Sequence, residues 1–500
     1  MSLFRSLVLK VPSKVFPDGG SSSTGLAVLF QTIRTAATIG ATRAAICGVL
    51  LAGCALPSGA ATEASLGSAA DPSGEAGSTA PASPRSVAAD TVRGVDDPYR
   101  LRYHFSPARN WMNDPNGLLY AEGTYHLFYQ HNPHGAQWGH MSWGHAASSD
   151  LLRWRERPVA IPETDSTMAF SGSAVWDSSN TSGFGSAENP PLVAVYTAHY
   201  PGADRQAQAL AYSTDGGASW SRYSGNPVLD LALANFRDPN VFWYEPDERW
   251  IMVVALPDRH QVQFYGSENL IDWTHLSTFG PRGATGGIWE CPDLFRVPVE
   301  GRPGEERWVL EVDLNPGSVA GGSGGQYFVG TFDGRRFTVT DDDGSYPRWV
   351  DYGADFYAAI DWENLPSARE GPIWAAWMSN WLYAGDTPTG SWRGALTIPR
   401  RLRLEEVRGS WRLVQEPIPD VETLRGPRRD LEELVVADST IELTERGVSG
   451  RTLDVRLRLD PGSAEDVGLA VRTGNEEATR IGFRPDAERM YVDRRGSGRT

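Results

Sequence analysis

Ser267-Glu268-Asn269-Leu270-Ile271-Asp272-Trp273 decides the fold, because the chain echoes it three times. Ser149-Asp150-Leu151-Leu152-Arg153-Trp154 and Ser213-Thr214-Asp215-Gly216-Gly217-Ala218-Ser219-Trp220 precede it, and Phe332-Asp333-Gly334-Arg335-Arg336-Phe337 follows as a weaker copy. In each, Asp or Asn, with or without Gly, supplies a polar turn, and an aromatic residue closes it. Around them lie short alternating or apolar runs: Thr124–Tyr129, Leu192–Tyr196, Val241–Tyr244, Trp250–Leu256, Trp308–Val312 and Gln326–Phe332. Such runs read as strands, and no long segment of helical period competes with them. The closing aromatics stand at 154, 220, 273 and 337, spacings of 66, 53 and 64 residues. Four-stranded units repeating on that scale indicate an all-β fold, a five-bladed β-propeller over residues 98–425. Plain β-sandwich hairpins are the competing reading of the same turns.

The flanks differ in texture. Beyond Arg400 the chain turns Arg/Glu-rich, then alternation resumes at Ser439–Leu443, Leu453–Leu459, Val467–Arg472, Arg480–Phe483 and Met490–Val492. Residues 431–500 therefore read as part of a C-terminal β-sandwich. A two-sheet sandwich takes ~100 residues, so this domain is expected to be cut short, with an unpaired sheet edge. On the other side, residues 55–97 are rich in Ala, Ser, Gly and Pro without apolar periodicity, the composition of a disordered tether. Residues 1–54 read as an N-terminal extension ending in an export signal, with Arg34 and Arg43 before the apolar run Ala44–Gly53. Leu51-Ala52-Gly53-Cys54 resembles a bacterial lipobox, which makes Cys54 the expected lipidation site and the cell surface or periplasm the expected location. Cleavage after Ala60 or Ala61, giving a secreted protein, is the alternative. Both lysines, Lys10 and Lys14, fall in the first fourteen residues, so residues 1 to about 27 read as upstream sequence behind a misplaced start.

Forty-six basic against 62 acidic residues leave a net charge of −16, which argues against nucleic acid, whose affinity rests on phosphate neutralisation. Eighteen Trp and 17 Tyr suit a neutral polar ligand such as a sugar, on whose faces amphipathic rings stack, although core positions absorb many of them. Three cysteines, Cys47, Cys54 and Cys291, build no disulfide framework. Six of the nine histidines lie between His104 and His145, yet their spacings give no helical i,i+4 pair and no Cys partner. No metal site and no cofactor are expected.

Three segments carry acids beside Pro or turn residues and aromatics: Trp111-Met112-Asn113-Asp114-Pro115-Asn116-Gly117, Phe236-Arg237-Asp238-Pro239-Asn240 and Trp289-Glu290-Cys291-Pro292-Asp293. Alone, Asn-Asp-Pro-Asn-Gly is a turn. Each, however, falls near the start of a repeat unit, where inner strands crowd around a propeller axis. Acids converging there repel one another, and such a cluster needs a chemical purpose. Cys291 reads as a small buried group shaping the surroundings of Glu290 rather than a reactive thiol.

Together these motifs resemble glycoside hydrolase family 32, which includes invertases, inulinases and levanases. Phe128-Tyr129-Gln130-His131-Asn132-Pro133, Trp138-Gly139-His140-Met141-Ser142-Trp143-Gly144-His145 and Phe170-Ser171-Gly172-Ser173 follow in the family's order, as do Asp351-Tyr352-Gly353 and Asp355-Phe356-Tyr357-Ala358. The resemblance implies a retaining glycosidase that releases fructose from β-fructofuranosides through a covalent fructosyl-enzyme. It assigns Asp114 as nucleophile, Glu290 as general acid/base with a raised pKa, and Asp238 as the grip on ring hydroxyls. The two reacting carboxyls of such a pair stand about 5–5.5 Å apart. It further implies that Trp111, Asn113, Gln130, Trp138, Phe170, Ser171, Arg237, Tyr357 and Trp381 line the substrate site. A fructosyltransferase would use the same acids, and a lipoprotein that only captures fructan would be expected to have lost one of them. A monomer is expected, with linkage preference and exo or endo action left open.

Overall fold

The computed structural model describes residues 8–10, 97–340, 344, 346–474 and 477–498. Cys47, Cys54, the export signal and residues 55–96 of the tether lie outside the described residues. The chain divides into two compact units, one spanning Arg93–Arg428 and the other holding Arg429–Thr500 with the N-terminal residues.

Among its described residues the larger unit is five sheets, antiparallel but for one short pairing, laid down one after another. The first comprises Asn110–Ala121, Thr124–Asn132, Ser142–Ser148 and Arg155–Ile161. The second begins with Met168–Trp176, the third with Arg237–Tyr244, the fourth with Ile288–Pro298 and the fifth with Tyr357–Asp361. These five leading strands adjoin one another in chain order, and the last returns to the first, so the sheets close into a ring. Every strand run named from the sequence within this unit lies in a strand of the structure.

The four repeated turns occupy one structural position, the link between the third and the next outer strand of successive sheets. Their polar residue organises the turn directly. Asp150 Oδ1 accepts from the backbone N–H of Leu152 and Arg153 (3.0 and 2.7 Å), Asn269 Oδ1 from Ile271 and Asp272 (3.0 and 2.8 Å), and Asp333 Oδ1 from Arg335 and Arg336 (2.9 and 2.7 Å). The next residue enters the left-handed region, with φ of 65° at Leu151, 64° at Leu270 and 85° at Gly334. A fifth turn, Arg408-Gly409 before Trp411, joins the corresponding strands of the last sheet. It lacks the Asp or Asn that marks the others.

The closing aromatics explain why the repeat exists. Five apolar layers separate neighbouring sheets, and each holds one of them: Trp154, Trp220, Trp273, Phe337 and Trp411. Each is wedged between its own sheet and the preceding one. Trp220 meets the ring of Phe128 edge-on at 5.2 Å, and Trp154 stacks with Trp362 across the layer that closes the ring. That closure has a second tie. Trp392–Arg393, from the long connection between the second and third strands of the fifth sheet, pairs in parallel with Asn110 and Trp111 of the first.

In the smaller unit the described strands form one sheet, in the order Ile441–Glu442, Val8–Lys10, Val467–Val471, Thr479–Arg484 and Arg489–Asp493. Val436, Leu443 and Leu469 make its buried centre. Leu453–Leu459, expected as a strand from its alternation, has no ladder partner among the described residues. Its first two apolar side chains, Leu453 and Val455, are exposed, whereas Leu457 and Leu459 pack against the buried centre, so only half of its alternating face is covered. Among the described residues only one sheet of the expected sandwich is seen.

Trp220→Ala empties part of the layer between the first and second sheets. We expect a loss of about 2–4 kcal/mol, because the residue is half-buried rather than fully enclosed. Chemical denaturation checks this.

Candidate active site

All five leading strands break their ladders at one level. Register shifts fall between Met112 and Pro115, Ala169 and Gly172, Arg237 and Asn240, Glu290 and Asp293, and Tyr357 and Ile360. A β-bulge lets two residues oppose one and re-aims a side chain that an unbroken strand would keep in the pleat. Here the five bulges deliver Asp114, Ser171, Asp238, Glu290 and Tyr357, one from each sheet. Three bulge residues hold positive φ despite carrying a Cβ: Asp238 (65°), Cys291 (45°) and Ala358 (54°). Non-glycine residues adopt that region at a cost. Asn-Asp-Pro-Asn-Gly is thus strand with bulges rather than the turn its composition indicates. Pro115 is tolerated because bulges release donors from the ladder. Gly117 is required because, at φ 49°, a Cβ would press within 3.0 Å of Ala174, Phe128 and Trp143.

The strain has visible uses. Turned at φ 45°, Cys291 points its backbone N–H at Asp238 Oδ2 (3.0 Å). The Asp238 N–H donates in turn to Thr197 Oγ1 (2.9 Å), whose hydroxyl donates to Gln208 Oε1 (3.0 Å). Ser171 Oγ donates to Asp114 Oδ2 at 2.7 Å. Glu290 is gripped on both oxygens. Arg237 donates to Oε1 through Nε (3.1 Å) and Nη2 (2.9 Å), and Tyr357 donates its hydroxyl to Oε2. The guanidinium is itself fixed by Gln206 (3.2 Å) and Asn235 (2.8 Å), and its Nε lies 3.8 Å from Asp238 Oδ2.

Burial sets the charges. Asp114 is pushed above the usual carboxylate range by desolvation, opposed by hydrogen bonds from Ser171 and Asn113 and aided by the nearby Glu290. Asp238 is raised to about 7 by desolvation, with Arg237 pulling the other way. Arg237 stays charged because Glu290 and Asp238 outweigh its own burial. The Tyr357 hydroxyl is raised by burial and by Glu290, which keeps it a donor. Cys291 lies with Sγ 3.9 Å from Asp114 Oδ2 and 3.7 Å from Asp238 Oδ2, and burial together with both acids holds it as a thiol.

Aromatic residues wall this cluster. Trp111, Tyr357 and Trp377 pack with Met141 and Cys291, and Phe170 and Trp381 lie against them. Trp381 stacks on Trp111 at 6.0 Å and Trp111 Nε1 donates to Asn113 Oδ1 at 2.7 Å. Phe170 meets Trp138, which is about half exposed at the rim. Gln130 is placed differently from the rest. Its amide donates to Asn116 Oδ1 (2.7 Å) and the Ala169 carbonyl (3.1 Å), tying two leading strands together. Of the histidines, His126 and His145 stack with Phe128 in the core, and burial lowers them to about 4 and about 3.

Several participants carry no motif. Thr197, Gln206 and Gln208 are neutral polar residues buried on the second and third strands of the second sheet. Glu311 and Asp313 did carry a signal, two acids inside the apolar run Trp308–Leu314. Both are fully buried and raised well above the carboxylate range by burial, Asp313 additionally by Asp114 and Glu290.

Comparison with known proteins places these features. The model of the glycosyl hydrolases family 32 N-terminal domain matches residues 104–417, and that of the family's C-terminal domain matches residues 420–500. A levanase of Bacillus subtilis is 46% identical over 407 residues, covering 81% of this chain. The match spans 59% of that levanase's own length. An extracellular exo-inulinase of Aspergillus niger is 42% identical over 437 residues, covering 81% of this chain and 80% of the relative. Among solved structures, exo-inulinase from Aspergillus awamori superposes with a TM-score of 0.70 at 38% identity, over 81% of this chain and 84% of that one. β-Fructofuranosidase from Schwanniomyces occidentalis, complexed with fructosyl-erythritol, gives 0.67 at 33% identity, over 80% and 81%.

A carboxyl raised on folding binds its proton more tightly in the native state, so its contribution to stability is lost as the pH rises through its folded pKa. Asp238→Asn removes that titration. Between about pH 4 and pH 8 the stability difference should move in favour of the variant, by up to about 4 kcal/mol for a three-unit shift. Thermal melts of both proteins across that range test it.

Proposed function

Because the chain belongs to glycosyl hydrolase family 32, we propose that it is a β-fructofuranosidase, releasing fructose from levan, inulin or sucrose. The reaction proceeds with retention through a fructosyl ester of Asp114. Glu290 first protonates the leaving oxygen and then takes a proton from the attacking water. Asp238 holds ring hydroxyls and the positive charge that develops on the ring. We read the five sheets as the blades of a five-bladed propeller whose axis passes through these acids, followed in the chain by a C-terminal β-sandwich.

One observation carries the reading: three acids from three leading strands meet at the level of the bulges, and two of them are held by different donors. Ser171 donates a neutral hydroxyl to Asp114 Oδ2, which orients that acid for attack on carbon. Arg237 and Tyr357 fix both oxygens of Glu290, which orients that carboxyl beside Asp114 and Asp238. The aromatic wall of Trp111, Phe170 and Trp381 fits a sugar face. Relatives named levanase and extracellular exo-inulinase support a fructan as substrate and an exported enzyme.

Glu290→Gln should lower the rate on levan about 10²–10⁴-fold, with the melting profile retained; an unchanged rate would overturn the assignment. With sucrose, hydrolysis predicts free fructose equal to glucose, whereas growing oligofructans would show transfer instead. Anchoring through Cys54 predicts incorporation of labelled palmitate that disappears in Cys54→Ala.

A further inference from the structure

Two of the histidines that the chain spacing leaves unpaired are brought together on the rim with an acid from another loop. His134 Nε2 and His140 Nδ1 approach Glu163 Oε1 at 3.6 and 2.7 Å, and ligand atoms of all three lie within 4.8 Å of one another. We propose that His134, His140 and Glu163 form a binding site for one divalent transition-metal ion, such as Zn²⁺, Ni²⁺ or Cu²⁺.

The geometry is close to what such an ion needs. With metal–ligand bonds of about 2.0–2.2 Å, a tetrahedral ion separates its ligands by about 3.4 Å. Glu163 Oε1 lies 3.6 Å from His134 Nε2, near that value, and 2.7 Å from His140 Nδ1, a hydrogen bond that the ion replaces. Two imidazoles and one carboxylate suit borderline metals rather than Ca²⁺ or Mg²⁺, which take oxygen ligands. The histidine side chains are exposed, so water completes the coordination shell.

The supporting backbone is fixed before any ion arrives. Buried Asn132 accepts from the His134 N–H (2.8 Å) and donates to the Gln137 carbonyl (2.8 Å), bracketing the loop. Buried Ser142 accepts from the Glu163 N–H (2.9 Å) and donates to the His140 carbonyl (3.3 Å), locking the second and third ligands to each other. Two buried side chains thus hold all three ligand positions, and the rotamers alone remain to be ordered.

Trp138 stands between the two histidines on the same loop and meets Phe170 at 6.1 Å. An ion bridging His134 and His140 to Glu163 therefore pins the loop that presents Trp138. Resting on the reading that Trp138 borders the fructan site, the ion should alter KM for levan and leave kcat unchanged.

Titration calorimetry of tag-free full-length protein, stripped with EDTA and dialysed, tests binding without reference to activity. Zn²⁺ should bind at one ion per chain, and His134→Ala and Glu163→Gln should each weaken it at least tenfold without changing the melting profile. Cu²⁺ added in place of Zn²⁺ should show two-nitrogen hyperfine structure by electron paramagnetic resonance, reduced to one nitrogen in His140→Ala. Absence of saturable binding, or binding indifferent to these substitutions, overturns the site. Saturable binding with an unaltered KM for levan overturns the coupling to Trp138 alone.

Discussion

Arg237 brings one buried positive charge to a space where Asp114, Asp238 and Glu290 bring three acids. Its guanidinium reaches Glu290 and Asp238, and Gln206 and Asn235 hold it in place. Because burial penalises each carboxylate separately, the acids are not equally charged, and the proton balance of the cluster turns on which of them the guanidinium favours. The five ladder breaks make this possible. Without them, side chains of adjacent leading strands would stay in their pleats and the acids could not face a shared centre.

The cost of that arrangement is spread over the molecule. Left-handed backbone at Asp238, Cys291 and Ala358 persists because the surrounding sheets over-determine it. The over-determination comes from the apolar layers, each closed on the outside by an aromatic at the end of a hairpin. Rim and centre are therefore one design: wedges far from the acids hold the sheets at the angle that lets the bulges converge. Buried Glu311 and Asp313 add further unfavourable charge beneath the site, and protonation relieves it. An active site assembled this way trades stability for a field that acts on whatever occupies it.

Much of this was legible in the chain. Asx turns ending in an aromatic revealed the repeat, because turn chemistry is local and each unit needs the same wedge. The fifth copy was hidden since Arg408-Gly409 achieves its positive φ without an Asx residue, although Gly409 and Trp411 together were the available signal. Motifs named the three acids and Arg237, while composition alone reads Asn-Asp-Pro-Asn-Gly as a turn, because a bulge tolerates inside a strand what otherwise breaks one. Thr197 and Gln206 were invisible for a different reason. A neutral side chain on an apolar strand acquires meaning only from what the neighbouring sheet places opposite it. Leu453–Leu459 shows the converse, an alternation whose apolar face is covered only at Leu457 and Leu459.

Residues 378–399 have two duties at once. The segment contributes Trp381 to the wall of the site and then supplies Trp392–Arg393, which pairs with the first leading strand, while Arg393 donates to the Ala136 carbonyl at 2.9 Å. This segment is also the clasp of the ring. Its lineage is thus constrained from both ends. Replacements near Trp381 are compatible with the fold only if the stretch around Trp392 keeps its register, so point replacement is better tolerated there than insertion or loop exchange. The same coupling argues against transplanting this segment between homologues as a unit.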